Sequence, residues 1–235
     1  MEKIGIIGAG RMGSYITRKI ATHYSVYVYD VVWEKASALS LTTGCNAVQQ
    51  IDEITSCDCI LLAVGKKESL DYINQFLILN CPSFVVCLAT EVIQEDLYPA
   101  RRSGFPMFTV KIIGESDEME KGGASYFIVN NLSDYDSGEI INLLSHCGTI
   151  IEGDDAPFES VNLVAAEEIM MAAGKITGRL KQMGIPARII QTAIQSVSAG
   201  TLAQYPWEER DYFHKRIFNA HPELKQTILL ENSEK

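Results

Sequence analysis

The spacing of apolar residues changes character near residue 157. Before that point, strand-length apolar runs alternate with helix-length stretches. Lys3 to Gly8 is β-rich through Ile4, Ile6 and Ile7, and it leads at once into Gly-Ala-Gly-Arg-Met-Gly and a helical stretch, Tyr15 to His23. Ser25 to Asp30 predicts a second strand and Trp33 to Thr43 the helix after it. Cys57 to Val64 and Ser83 to Ala89 are apolar without alternation, the pattern of parallel strands covered on both faces, with Glu68 to Leu79 as the crossover helix between them. Phe108 to Ile113 and Tyr126 to Asn131 predict two more strands. A helix capped by Ser133 or Asp134 and running to about Cys147 precedes a last strand, Thr149 to Glu152. The alternation predicts an α/β fold, a Rossmann domain with a doubly wound, mainly parallel sheet, over residues 1–153.

From Pro157 to His221 the strand signal fades, which predicts an all-α domain over residues 154–235. Three helical stretches stand out: Phe158 to Met183, Ala187 to Ala203 and Glu208 to Ala220. Gly184-Ile185-Pro186 separates the first two, with Gly at a helix C′ position and Pro at N1, and Tyr205-Pro206 separates the second from the third. The first stretch holds Ala165, Ala166, Ala172, Ala173, Gly174 and Gly178. Gly in a helix interior costs about 1 kcal/mol relative to Ala, so a packing reason is expected. Gly174 and Gly178 share a face on which another helix can approach closely, in a homodimer or, alternatively, within the chain against the sheet.

The chemistry-bearing motif is the loop Gly8, Ala9, Gly10, Arg11, Met12, Gly13, a G-x-G-x-x-G run set between a strand and a helix. Gly8 permits the tight turn, Gly10 leaves room for a pyrophosphate, and Gly13 lets the helix pack on the sheet. Phosphates then meet free N–H groups and the positive end of the helix dipole. Asp30, at the end of the second strand, is placed to bond the adenosine ribose hydroxyls and repel a 2′-phosphate, which favours NAD. It is alternatively a solvated strand-end aspartate, with Arg11 and Lys35 left to hold the phosphate of NADP. Ligands of open α/β sheets lie outside the carboxyl ends of the strands, which selects Ala63, Val64 and Thr90 as further cofactor-lining residues.

Charge narrows the partners. The formal net charge is −10, without a basic patch interleaved with aromatics, so nucleic acid is not an expected partner. No apolar run approaches the roughly 20 residues that cross a bilayer, and the N-terminus does not read as a signal peptide. No membrane partner and a cytoplasmic location are expected. The six cysteines show no CxxC pair and no histidines at ligand spacing, so no metal is expected; Cys57, Cys59 and Cys87 read as buried reduced thiols on strands.

The segments KIGIIGAGRMGSYI, CILLAVGKK, VKIIGESDEMEKGG, MGIPARIIQTAIQSVSAGT and HPELKQTIL, in this order along nearly the whole chain, resemble pyrroline-5-carboxylate reductase. The resemblance implies a Rossmann domain, a helical domain that dimerises by interleaving helices, a nicotinamide cofactor, and hydride transfer to a cyclic imine. The chain departs from that family at Asn162 to Glu168, where a substrate-binding segment is expected. It departs again at Lys111 to Gly114, where an arginine and a Met-Pro-Asn turn are expected, and after Leu230, where a polar tail follows.

Three side chains remain as catalytic candidates. Glu167, with its neighbour Glu168, opens the long helix, and Lys175 lies seven residues beyond Glu168, as acid and anchor or as solvated charges. Lys111, read as a strand-end lysine beside the cleft, is placed to hold a substrate carboxylate, or is simply solvated. His146, His214 and His221 read as structural. The leading expectation is an NAD(P)-dependent oxidoreductase of a small imine, amino acid or carbonyl compound. The alternatives are a catalytically silent dinucleotide-binding regulatory or partner protein and a deazaflavin-dependent NADP reductase, against which Asp30 speaks.

Overall fold

The computed structural model of the 235-residue chain describes residues 1–132, 135–205 and 212–224. It divides into two compact units, Met1–Val164 and Ala165–Lys235.

In the first unit, β1 (Lys3–Ile7), α1 (Arg11–Ile20), β2 (Ser25–Tyr29), α2 (Trp33–Thr43), β3 (Asn46–Ala47), α3 (Ile51–Ile54) and β4 (Cys59–Leu62) follow in order. Then come α4 (Lys66–Ile78), β5 (Phe84–Cys87), a 3-10 turn (Gln94–Leu97), α5 (Tyr98–Arg102), β6 (Met107–Ile113), α6 (Ser116–Glu120), β7 (Tyr126–Asn131), α7 (Gly138–Ser145) and β8 (Thr149–Glu152). They build one eight-stranded sheet in the order β3-β2-β1-β4-β5-β6-β7-β8. Strands β3 through β6 run parallel, β7 is antiparallel to β6, and β8 is parallel to β7. This is the Rossmann sheet that the alternation predicted.

Both faces of the sheet are covered, which is why its central strands read as continuous apolar runs. On one face Ile4, Ile6, Leu61 and Phe108 pack with Ile16 and Ile20 of α1 and Leu143 and Leu144 of α7. On the other, Ile7, Ile60, Leu62 and Val85 pack with Ile73 and Phe76 of α4. Fully burying one such aliphatic or aromatic side chain is worth about 1.5–3 kcal/mol. The elements that periodicity did not reveal, β3, α3, α5, α6 and the 3-10 turn, are each five residues or fewer. Cys57 is buried but lies in the turn before β4, not on the strand. Ser133 and Asp134 lie outside the described residues, and the helix they were expected to cap begins at Gly138, after Ser137.

The second unit is helical. α8 (Val161–Gln182) starts at the end of the first unit and runs into it, and not one of its residues is buried. Gly184 (φ 76°) closes it in the left-handed conformation predicted for a C′ glycine. Pro186 is the N-cap of α9 (Ala187–Thr192), one position before the N1 place expected. The helical run continues through a π turn (Ala193–Ser198) into α10 (Ala199–Leu202). Between α8 and this run lies an apolar cavity of about 340 Å³, lined by Ile169, Ile176, Ile194, Val197 and Leu202 among others. α11 (Tyr212–Ala220) covers the later part of the third helix predicted, whose first residues, with Pro206, lie outside the described residues. No helix among the described residues is long and apolar enough to cross a membrane.

Candidate dinucleotide site

β1 delivers the chain into the glycine loop, and each glycine is required for a different reason. Gly8 has φ 103°, and a Cβ there would meet the Ala63 carbonyl oxygen at 2.5 Å. A Cβ on Gly13 would fall 1.9 Å from the Gly8 carbonyl oxygen, so α1 can approach β1 only through a glycine. Gly10 differs from both. Its φ of −74° suits any residue, and a Cβ there would meet nothing within 4 Å. Nothing among the described residues needs a glycine at that position, whereas a ligand lying against the backbone would.

The start of α1 supplies the donors. Gly10 is its N-cap and offers no side chain, and no acidic residue occupies its first turn. Ser14 N–H donates to the Gly10 carbonyl, so the N–H groups of Arg11, Met12 and Gly13 find no acceptor among the described residues. A cradle left open at Gly10 and donors left free at a helix N-terminus fit a dinucleotide pyrophosphate.

Asp30 closes the loop from the β2 side. Its Oδ2 accepts from Ala9 N–H at 2.7 Å and its Oδ1 from Val32 N–H at 2.8 Å. The carboxylate therefore braces the glycine loop itself, and each oxygen keeps a second lone pair for an additional donor. Val31 (80% exposed), Val32 and Trp33 follow it and present apolar surface. Arg11 Nη1 turns to Glu115 Oε1 at 2.9 Å, while Lys35 is exposed on the first turn of α2.

At the carboxyl ends of β4 and β5 lies a pocket of about 390 Å³. Ala63, Val64 and Thr90 line it, as the strand-end rule predicted, together with Leu88 and with Met12 from the glycine loop. The loop and the pocket thus form one continuous site. Its two charged lining residues, Lys66 and Glu91, were not picked out from the sequence. Lys66 Nζ pairs with Asp96 Oδ2 at 2.6 Å, and that hydrogen bond holds the Asp96 carboxyl below the ordinary aspartate range.

Lys111 corrects an expectation. It stands inside β6, 1% exposed, and not at a strand end. Its Nζ donates to the carbonyls of Thr90, at 2.8 Å, and Val92, so the ammonium is spent on the backbone after β5. A central strand covered on both faces buries whatever stands in it, and a charge survives there only when fully hydrogen-bonded. Glu167, Glu168 and Lys175 occupy exposed positions of α8 in the second unit and form no ion pair with one another among the described residues.

All six cysteines are free and buried. Burial pushes the Cys57 thiol up to about 11 and the Cys147 thiol to about 12, so both are inert hydrophobes. Among the described residues no group of three or more side chains is arranged to hold a metal ion.

Residues 3–80 match the family model of the NAD binding domain of 6-phosphogluconate dehydrogenase. No curated protein sequence matches the chain. Among solved structures, a pyrroline-5-carboxylate reductase from Coxiella burnetii aligns with a TM-score of 0.66 at 15% identity, over 98% of this chain and 90% of that one. The Plasmodium falciparum pyrroline carboxylate reductase with NADP bound aligns with a TM-score of 0.63 at 14% identity, over 99% of this chain and 90% of that one. An imine reductase from Myxococcus stipitatus in complex with NAD+ aligns with a TM-score of 0.65 at 16% identity, over 97% and 87%. The chain therefore has the fold of the pyrroline-5-carboxylate reductases and imine reductases, with a Rossmann domain of the nicotinamide-dinucleotide-binding type in its first unit.

Proposed function

We propose that this chain is an NAD-dependent reductase of a small imine or carbonyl compound, acting in the cytoplasm as a homodimer joined through a helical domain that begins near residue 154. The reading is carried by Gly10, a glycine that no contact among the described residues requires, in the loop that sends Met12 into the pocket. The N–H groups of Arg11, Met12 and Gly13 would hold the pyrophosphate, Asp30 the adenosine ribose, and the pocket between β4 and β5 the nicotinamide end. When bound, the cofactor supplies a hydride donor or acceptor. The chain supplies orientation and a site walled by Val64 and Leu88.

Two observations favour NAD over NADP. The residues after Asp30 are Val, Val and Trp rather than cations, and Arg11 is engaged by Glu115. Lys35 alone is left to meet a 2′-phosphate. Dimerisation is favoured by Gly174 and Gly178, where a Cβ would meet nothing within 4 Å, so packing among the described residues gives these helix glycines no reason.

The test mixes purified protein with NADH or NADPH and a panel of imines and keto acids, following loss of the nicotinamide absorbance. Consumption of NADH with one of them, faster than of NADPH, is the expected outcome. Asp30→Ala should narrow the NADH preference by about tenfold, the value of one hydrogen bond to a charged group. Tight binding of a dinucleotide without turnover on any compound would instead make this a silent dinucleotide-binding protein. Calorimetry that detects neither nucleotide would remove both readings.

A further inference from the structure

The wall of the pocket that follows β5 is a loop with no strand or helix of its own. Leu88 still pairs with β4, its N–H donating to the Leu62 carbonyl at 3.1 Å. From there Ala89, Thr90 and Glu91 line the pocket before the 3-10 turn begins at Gln94. Backbone groups in such a segment lack a ladder, so the loop keeps one shape only if something else bonds them.

Three contacts do so. Val92 N–H donates to the Ala89 carbonyl at 3.1 Å, which places Thr90 and Glu91 at the two corners of a β-turn. Ile93 N–H donates to Asp96 Oδ2 at 2.9 Å, the oxygen that Lys66 Nζ also reaches. The third contact ties the loop to the sheet itself: Lys111 Nζ donates to the carbonyls of Thr90, at 2.8 Å, and Val92. An apolar side chain at this 1% exposed position would avoid desolvating an ammonium, so the lysine needs a reason. Burial raises the Cys87 thiol above its ordinary range, and of the charges that act on it Lys111 lowers it and Asp155, itself 1% exposed, raises it. A carboxylate of the protein thus shares the neighbourhood of the ammonium, and the two carbonyls of the loop remain as the reason for the lysine.

We propose that Lys111 is a positioning residue for the nicotinamide end of the cofactor, holding the loop after β5 in the shape that receives the ring. This rests on the dinucleotide reading of the pocket and adds the residue that shapes one of its walls. Lys111 touches no ligand and takes no part in hydride transfer. The consequence is a division within one cofactor: the glycine loop and Asp30 hold the ADP-ribose part without help from Lys111, whereas the nicotinamide end depends on it.

The test is calorimetry on the full-length protein with NADH and with ADP-ribose, which is the same molecule without its dihydronicotinamide ring. Lys111→Met keeps an unbranched side chain and removes the ammonium. It should weaken NADH binding by about tenfold, the value of a hydrogen bond to a charged group, and leave ADP-ribose affinity within about twofold of wild type. A residue that merely stabilised the fold would weaken both ligands alike. Hydrogen exchange on the unliganded wild type adds a measurement that does not depend on the variant folding: the Val92 amide should exchange at least about a hundredfold more slowly than an unstructured one. Equal losses of the two ligands, an unchanged NADH affinity, or an unprotected Val92 amide in wild type overturns the proposal. A selective loss of NADH in a protein that reduces no imine or carbonyl compound would leave Lys111 in this role and remove the reductase reading. A wild type that does reduce one, with Lys111→Met losing both ligands alike, would do the reverse.

Discussion

The two units of this chain solve the burial problem to different extents. In the first, strands β1, β4 and β5 are almost wholly buried between two helical layers, and each face of the sheet has its own apolar cluster. In the second, Ile190 and Phe218 are the buried hydrophobic residues among those described, while Ile169, Met170, Met171, Val197 and Leu202 stand exposed. The first unit has the core of an independent domain. Among its described residues the second leaves much apolar surface exposed, which fits the proposed interface between copies. Cofactor chemistry is placed on the part that is complete, and assembly is expected from the part that is not.

The glycine loop gives the sharpest way to break this contrast, since stability and binding separate within four residues. Gly13→Ala drives a methyl group into the Gly8 carbonyl oxygen, and the helix must move away from β1. We expect a loss of about 3 kcal/mol and a melting temperature lower by about 10 °C, because the clash is with backbone. Gly10→Val meets open space and should melt like the wild type in the absence of nucleotide. Its NAD+ affinity should nevertheless fall by more than about a hundredfold, as the side chain fills the pyrophosphate cradle. Thermal melts and calorimetry on both variants decide it. A Gly10→Val protein that binds NAD+ normally would leave that glycine unexplained.

How much of this was legible in the sequence follows from how local each cause is. α2, β7 and β8 fall where apolar spacing placed them, and the glycine loop carries its own chemistry in six consecutive residues. Ala63, Val64 and Thr90 were reachable because strand ends in a parallel sheet are sites by topology. Glu91 was not, because the turn that carries it is held by a lysine twenty residues further along the chain. A signal for Lys111 did exist: it interrupts an apolar run on a strand that the fold covers on both sides, where a lysine must be buried and bonded. The short helices α3, α5 and α6 escape any period, since one turn shows no repeat.

The incomplete core of the second unit is sharpened by Met170, 75% exposed on α8. In a chain that stays alone, Met170→Asp touches nothing and should change stability by less than about 0.5 kcal/mol. If two copies cover each other through α8, a buried unpaired carboxylate appears at the seam and the dimer dissociates. We expect sedimentation to report a dimer for wild type and a monomer for Met170→Asp, with NAD+ still bound because the first unit is intact. A monomeric wild type, or a variant that stays dimeric, would move the interface away from this face.

The smallest effect lies at the edge of the first unit, where Asp58 Oδ2 accepts from the N–H groups of Glu2 at 2.7 Å and Lys3 at 3.0 Å, pinning the N-terminus as β1 begins. The bonds from Lys3 and then Glu2 hold the Asp58 carboxyl below its ordinary range. A carboxyl depressed in the folded state favours folding above its unfolded pKa of about 4, and that contribution is lost as pH falls through the lower folded value. Wild type should therefore melt above Asp58→Asn by about 2 °C at neutral pH, a small gap because water screens this largely exposed group. The gap should close as pH falls through that lowered value, since the protonated acid and the amide then differ little. Melts that stay separated at acid pH would place the stabilisation in the geometry of the turn rather than in the charge of Asp58.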